Sequence, residues 1–128
     1  MKKWYQSRVK HGDKDGSNLS YPTVNLDAKV LPSSLKRGVY ASWVKVGDKT
    51  YPAAAHFGPR LIKKELEDVL EIYILDFSAD IYGEEISFYL EQYIREVMDF
   101  IDFSSLKNQI TLDIEKIKEV LKVDPKEE

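Results

Sequence analysis

Cysteine is missing from the 128 residues, which excludes disulfides, thiolate metal sites and a cysteine nucleophile. Histidine occurs only as His11 and His56, too few for a histidine-rich metal centre. No apolar run nears the roughly 20 residues of a membrane span. The start, Met1-Lys2-Lys3-Trp4-Tyr5-Gln6, carries charge without the apolar stretch of a secretory signal. A surplus of positive charge is lacking too. Nineteen Lys and Arg stand against 22 Asp and Glu, a net charge of -3, which argues against a broad basic surface for nucleic acid. The rest is the balance of a folded soluble chain, 43% hydrophobic and 32% charged, sized for one domain with one core. The expectation is a cytoplasmic monomer that engages neither nucleic acid nor membrane, folded as a single domain over 1–128 with its core at 6–122 and a loose tail at 123–128.

Six stretches have strand character. They are Trp4–Val9, Tyr21–Leu26, Gly38–Val46, Thr50–Phe57, Val69–Phe77 and Ile86–Ile94. Pro22 keeps its neighbourhood extended, and Val46-Gly47-Asp48-Lys49 predicts a hairpin turn. In the last stretch Ile86, Phe88, Leu90 and Ile94 alternate with Ser87, Tyr89, Glu91 and Arg95, which predicts one apolar and one polar face. Tyr93 is expected with Arg95 on the polar one.

The period then changes. Leu106, Ile110, Ile114, Ile117 and Leu121 recur at three- and four-residue steps, the mark of an amphipathic helix, with Ser104 or Ser105 placed to cap it. Asp124-Pro125 stops it. Six short strands would leave two exposed edges in an open sheet. The fold expected is therefore mostly β, an antiparallel sheet closed or nearly closed into a barrel, with one helix packed on it.

Several stretches could carry chemistry, each with a plainer alternative. The loop from Gly12 to Ser20 has Gly12 and Gly16 for unusual backbone angles and Lys14 as a cation. It could cradle phosphates, or it could be a solvated hairpin loop; it lacks the Gly-Lys-Ser/Thr ending of a Walker loop. Thr23 and Asn25 project to one side of an extended backbone. They offer a hydroxyl and an amide oxygen to a hard cation, or they satisfy backbone groups at a strand start. Glu71 leaves an apolar strand on the face of Tyr73, Leu75 and Phe77, opposite Leu70, Ile72 and Ile74. It suits a general base for an alcohol, or a strand-end charge reaching water like Glu65, Glu67 and Asp68. His56 reads as a partly buried histidine with a satisfied hydrogen bond. Arg95 can stack on a ring or bind phosphate, or pair with Glu91 or Glu96. Tyr82, Phe88, Phe100 and Phe103 read first as core and then as a ring-binding surface.

Taken in order, these stretches resemble a known family. Val9-x-His11-Gly12-x-x-x-Gly16-x-x-Leu19-x-Tyr21-Pro22-Thr23-Val24-Asn25-Leu26 is similar to the nucleotide loop and Pro-Thr-Ala-Asn motif of ATP-dependent riboflavin kinases. Gly38-Val39-Tyr40-Ala41 resembles a further signature of that family. Leu70-Glu71-Ile72-Tyr73-Ile74-Leu75-Asp76-Phe77, then Asp80-Ile81-Tyr82-Gly83, resembles its glutamate strand and Tyr-Gly turn. Ile94-Arg95-Glu96 with Phe100, Leu106, Gln109-Ile110 and Asp113 is similar to its final stretch and closing helix. Where the family often shows Pro-Thr-Phe after the glycine, this chain reads Pro59-Arg60-Leu61, and His56 stands at a common asparagine.

The resemblance implies a six-stranded antiparallel Greek-key β-barrel with a C-terminal α-helix packed on it. It implies transfer of the ATP γ-phosphate to the ribityl 5′-hydroxyl of riboflavin, giving FMN and ADP, with a non-catalytic flavin- or nucleotide-binding barrel as the alternative. Glu71 would be the catalytic base. Thr23 and Asn25 would hold Mg²⁺, although oxygen ligands admit Mn²⁺ or Zn²⁺ as well. Gly12, Lys14, Gly16, Pro22, Thr23, Asn25 and Tyr82 would bind the nucleotide, and Arg95 and Phe100 the flavin. With one domain's worth of residues and no adenylyltransferase portion, the product expected is FMN and not FAD.

Overall fold

The computed structural model describes residues 2–10 and 23–123, so Gly12, Lys14, Gly16, Pro22 and the tail from Asp124 lie outside the described residues. Among the described residues six strands form one antiparallel sheet. They are β1 (Tyr5–Arg8), β2 (Val24–Leu26), β3 (Gly38–Val46), β4 (Lys49–Gly58), β5 (Val69–Ile74) and β6 (Glu85–Arg95), in the spatial order β1-β6-β3-β4-β5-β2. Strands β3, β4 and β5 follow one another, and β6 returns beside β3, which is the Greek-key arrangement. The outermost strands are brought together by the bridge Lys10–Asn25, where the Lys10 amide donates to the Asn25 carbonyl at 2.9 Å. The sheet is thereby nearly closed, and the barrel expected from the sequence is present.

The β3–β4 hairpin turns on Gly47 and Asp48, as the Gly-Asp pair predicts. Inside the barrel Leu26, Val44, Leu70, Ile72, Ile86 and Phe88 are almost completely buried. Helix α1 (Phe103–Leu121) covers the outside through a second, smaller core of Val39, Ala41 and Ile117.

Four expectations need correction. The helix is capped by Asp102, whose carboxylate accepts from the Ser105 amide at 2.8 Å, and not by Ser104 or Ser105. A carboxylate serves this position as well as a hydroxyl does, and it adds a favourable charge at the positive end of the helix. Strand β5 ends at Ile74, because Asp76 adopts φ 56° in the turn that follows. Leu75 is consequently buried and Phe77 packs on Tyr51, instead of sharing the face of Glu71.

Tyr93 and Arg95 do not share a face either. The β3–β6 register shifts between Val39 and Tyr40 and again between Ala41 and Ser42, so β6 carries extra residues against β3. Tyr93 turns inward onto Tyr40, Ile94 joins the core under the helix, and Arg95 stays outside. Lastly, of the aromatics read first as core only Phe88 belongs there; Tyr82 is 53% exposed and Phe103 45%.

Candidate active site

The sheet register lines up the residues that matter. Lys10 lies opposite Asn25, Asn25 opposite Glu71, Glu71 opposite His56, His56 opposite Val39, and Val39 opposite Arg95. Directly paired residues project to the same face. One row therefore crosses the outer face of the barrel, reaching all the way to β6. The inward positions of β5, Leu70 and Ile72, fill the core, which turns Glu71 and Tyr73 to this outer side.

Two cavities flank the row. The first is a cleft between the outer face of β4 and β5, the 59–63 segment and α1. Pro59, Leu61 and Ile62 form one wall and Phe103, Leu106 and Ile110 the other. His56, Glu71, Tyr73 and Arg95 form its floor, and Met98 and Phe100 stand at the loop before the helix. The second cavity is lined by Lys10, Val24, Asn25, Phe77, Asp80 and Tyr82 among others. Thr23 lines both.

At that junction the Thr23 hydroxyl donates to Glu71 Oε2 at 3.0 Å. The other carboxylate oxygen, Oε1, lies 3.6 Å from Arg60 Nη1. Glu71 has 16% of its side chain exposed, so it is reachable from the cleft but largely shielded from bulk water. Arg60 is in turn gripped by Glu65, with Nε donating to Oε1 at 2.9 Å and Nη2 to Oε2 at 3.0 Å. Deeper in the cleft Arg95 makes a two-pronged pair with Asp113 of α1, at 2.8 and 2.7 Å, and Gln109 also donates to Asp113 at 3.0 Å. The pair ties the helix to β6 across the second core. Burial pushes the His56 imidazole below its ordinary value, against the pull of Glu71 and the Gly58 and Pro59 carbonyls; the Arg95 charge adds to the lowering. Nε2 of His56 is hydrogen-bonded to the Gly58 carbonyl at 3.1 Å.

The Glu71 carboxylate thus lies between a hydroxyl and a guanidinium, beside the residue that lines both the largely apolar cleft and the more polar cavity. The model of the flavokinase family, described as riboflavin kinase, matches residues 2–121. The chain belongs to the riboflavin kinase family. It is 36% identical over 107 residues to the bifunctional riboflavin kinase/FMN adenylyltransferase of Escherichia coli, covering 83% of this chain and 34% of that protein. It is also 36% identical over 107 residues to the RNA-binding riboflavin kinase RibR of Bacillus subtilis, covering 83% of this chain and 46% of that one. The chain therefore spans about a third of the length of the bifunctional relatives it matches. Among solved structures, a Streptococcus pneumoniae chain described as a macrolide-efflux protein superposes with TM-score 0.76 at 31% identity, over 90% of this chain and 38% of that one. Riboflavin kinase from Trypanosoma brucei superposes with TM-score 0.69 at 22% identity, over 96% of this chain and 78% of that one, which speaks for the fold.

Of the site residues read from the sequence, Thr23 and Glu71 are in contact, Asn25 is the cross-strand neighbour of Glu71, and Tyr82 lines the second cavity with Asn25. Arg95 and Phe100 line the cleft. Arg95 pairs with Asp113, not with Glu91 or Glu96, although its Nη1 also donates to the Glu96 carbonyl at 3.0 Å. Glu65 and Asp68, read as charges reaching water, hold Arg60 and Arg37. Sequence reasoning passed over the part Arg60 takes at Glu71, because an arginine eleven positions before a glutamate carries no local pattern. Asp113 had a signal that could have been weighed. A carboxylate on the apolar side of an amphipathic helix, one position from Ile114, calls for a cation.

Proposed function

We propose that the chain transfers the γ-phosphate of ATP to the ribityl 5′-hydroxyl of riboflavin, giving FMN and ADP. The observation that carries this reading is the Thr23–Glu71 hydrogen bond at the wall shared by the two cavities. A phosphoryl donor on one side and an alcohol on the other would meet there.

The polar cavity takes the nucleotide, with Tyr82 at its rim beside the base, Pro22 leading into Thr23, and Gly12, Lys14 and Gly16 supplying the phosphate loop. Thr23 and Asn25 present neutral oxygens, and Glu71 lies beside them. Two neutral oxygens with a carboxylate beside them suit a hard divalent ion whose shell is completed by phosphate oxygens and water. Mg²⁺ is the ion proposed, with Mn²⁺ and Zn²⁺ compatible; when bound, it would neutralise phosphate charge.

The cleft takes the isoalloxazine between its two apolar walls, with Phe100 and Arg95 at the ring. The ribityl chain then runs along the row toward Glu71. Glu71 accepts the proton of the 5′-hydroxyl as that oxygen attacks phosphorus, and the Thr23 hydroxyl keeps the carboxylate aimed. Arg95, fixed by Asp113, holds the helix against the sheet and so sets the width of the slot.

Among the described residues no helix is long and apolar enough to cross a membrane. The setting proposed is a cytoplasmic monomer acting without nucleic acid, with 1–128 as one domain whose product is FMN. Incubation with riboflavin, ATP and Mg²⁺, with flavins separated by chromatography, tests the reading. An FMN peak is expected. Quenched riboflavin fluorescence without FMN would replace the kinase by a binding barrel.

A further inference from the structure

Among the described residues, Arg60 is a cation that the fold brings to Glu71. One guanidinium serves two carboxylates, Glu65 through two hydrogen bonds and Glu71 at 3.6 Å. Its side chain is only 19% exposed, and it lines the cleft that also holds Glu71 and Thr23. The grip on Glu65 fixes the fork in place, whereas the Glu71 contact, at 3.6 Å, is longer and weaker and so can be exchanged.

The reaction neutralises Glu71 and moves an anionic phosphoryl group onto the acceptor oxygen. The acceptor O–H bond breaks and its proton goes to Glu71, which becomes neutral. The acceptor oxygen forms a bond to the γ-phosphorus, the bond from that phosphorus to the β,γ-bridging oxygen breaks, and ADP leaves with the electron pair. A phosphate ester then stands where the hydroxyl was, within reach of the groups around Glu71. The attraction of Arg60 for Glu71 falls in the same step that joins the already anionic phosphoryl group to the acceptor beside it.

We infer that Arg60 is the receptor for the phosphate of the product, handed from the Glu71 carboxylate to the newly formed phosphate monoester. The inference rests on the kinase reading above. It makes Arg60 a residue that discriminates the phosphorylated flavin from the unphosphorylated one in the same slot, and a cause of product retention.

The test compares FMN and riboflavin affinities by quenching of flavin fluorescence in the wild-type chain, Arg60→Gln and Arg60→Lys. Arg60→Gln is expected to weaken FMN about ten- to a hundred-fold, the range for a lost charged hydrogen bond, and riboflavin less than about two-fold. Inhibition of turnover by added FMN should weaken in parallel, and Arg60→Lys should restore part of both effects. Unchanged riboflavin affinity also certifies that the variants are folded. If FMN and riboflavin weaken together, or neither does, the assignment of Arg60 is wrong while the kinase reading stands. If the wild-type chain binds riboflavin but makes no FMN, the kinase reading fails and the inference falls with it.

Discussion

The two cavities that meet at Thr23 are made of different materials. The polar one is assembled at the closing seam of the barrel, from Lys10, Asn25 and the turn around Asp80 and Tyr82. The cleft is assembled between two packed elements, a sheet face and a helix, with aliphatic and aromatic side chains on opposing walls. The first offers hydrogen-bonding groups around a highly charged ligand. The second offers two apolar surfaces at a distance set by how the helix docks. Under the proposed function, this contrast would let a small barrel serve two dissimilar ligands, one at its seam and one under its helix. Among the described residues only Thr23 belongs to both, and Glu71 stands against it.

The sharpest way to break the arrangement is at the shared wall. Glu71→Gln keeps the shape and the hydrogen bond from Thr23 but removes the base. Turnover is expected to fall about a thousand-fold, with both ligands still bound, as read by FMN formation beside nucleotide and flavin binding. Retained turnover would remove Glu71 from the chemistry.

On the cleft side, Asp113→Ala strands Arg95, whose side chain is 16% exposed. Losing one partner of such a pair should cost about 3 kcal/mol of stability by urea unfolding. The loss should be accompanied by weaker riboflavin binding, because the helix wall is no longer tied to β6. On the seam side, Asn25→Ala should raise the KM for Mg·ATP about ten-fold and leave riboflavin affinity alone. Equal loss of both affinities would mean that the two cavities are not separable.

The smallest effect expected is a pH dependence. Burial lowers the His56 pKa below the ordinary 6.5, so between that value and the lower folded one the unfolded chain binds more protons than the folded one. The contribution of His56 to stability is therefore whole above about pH 6.5 and declines as pH falls below it. Urea midpoints at pH 7.5 and 5.5 should show a smaller difference in His56→Asn than in the wild type.

Periodicity made the barrel legible. β3 is read with its observed bounds, since Gly38 opens it and Gly47 turns it, and the row of β-branched and aromatic residues between them has no helical alternative. Gly38 is needed at its place for another reason. At φ 155° it lies so close to β6 that a methyl group there would come within 2.2 Å of the Arg95 carbonyl oxygen. Thr23, Asn25 and Glu71 were legible as a set only through order and spacing, because each alone has a plainer structural use. The bulges in β6 were not legible. An extra residue in a strand shows only against its partner, so Tyr93 was assigned the wrong face. Arg60 was equally hidden, being brought to Glu71 by a turn in the 59–63 segment and a strand pairing that no local window contains.

The cross-strand row has one more consequence. Neighbouring strands lie about 4.8 Å apart, so the four steps from Asn25 to Arg95 fix these positions along a baseline of roughly 19 Å by main-chain hydrogen bonds alone. A slip of one residue in any of these strands would turn its member of the row into the core and carry a core side chain out. Misaligned barrels of nearly correct shape would thus lack the proposed activity, which would double as a report on whether every strand found its partner in register.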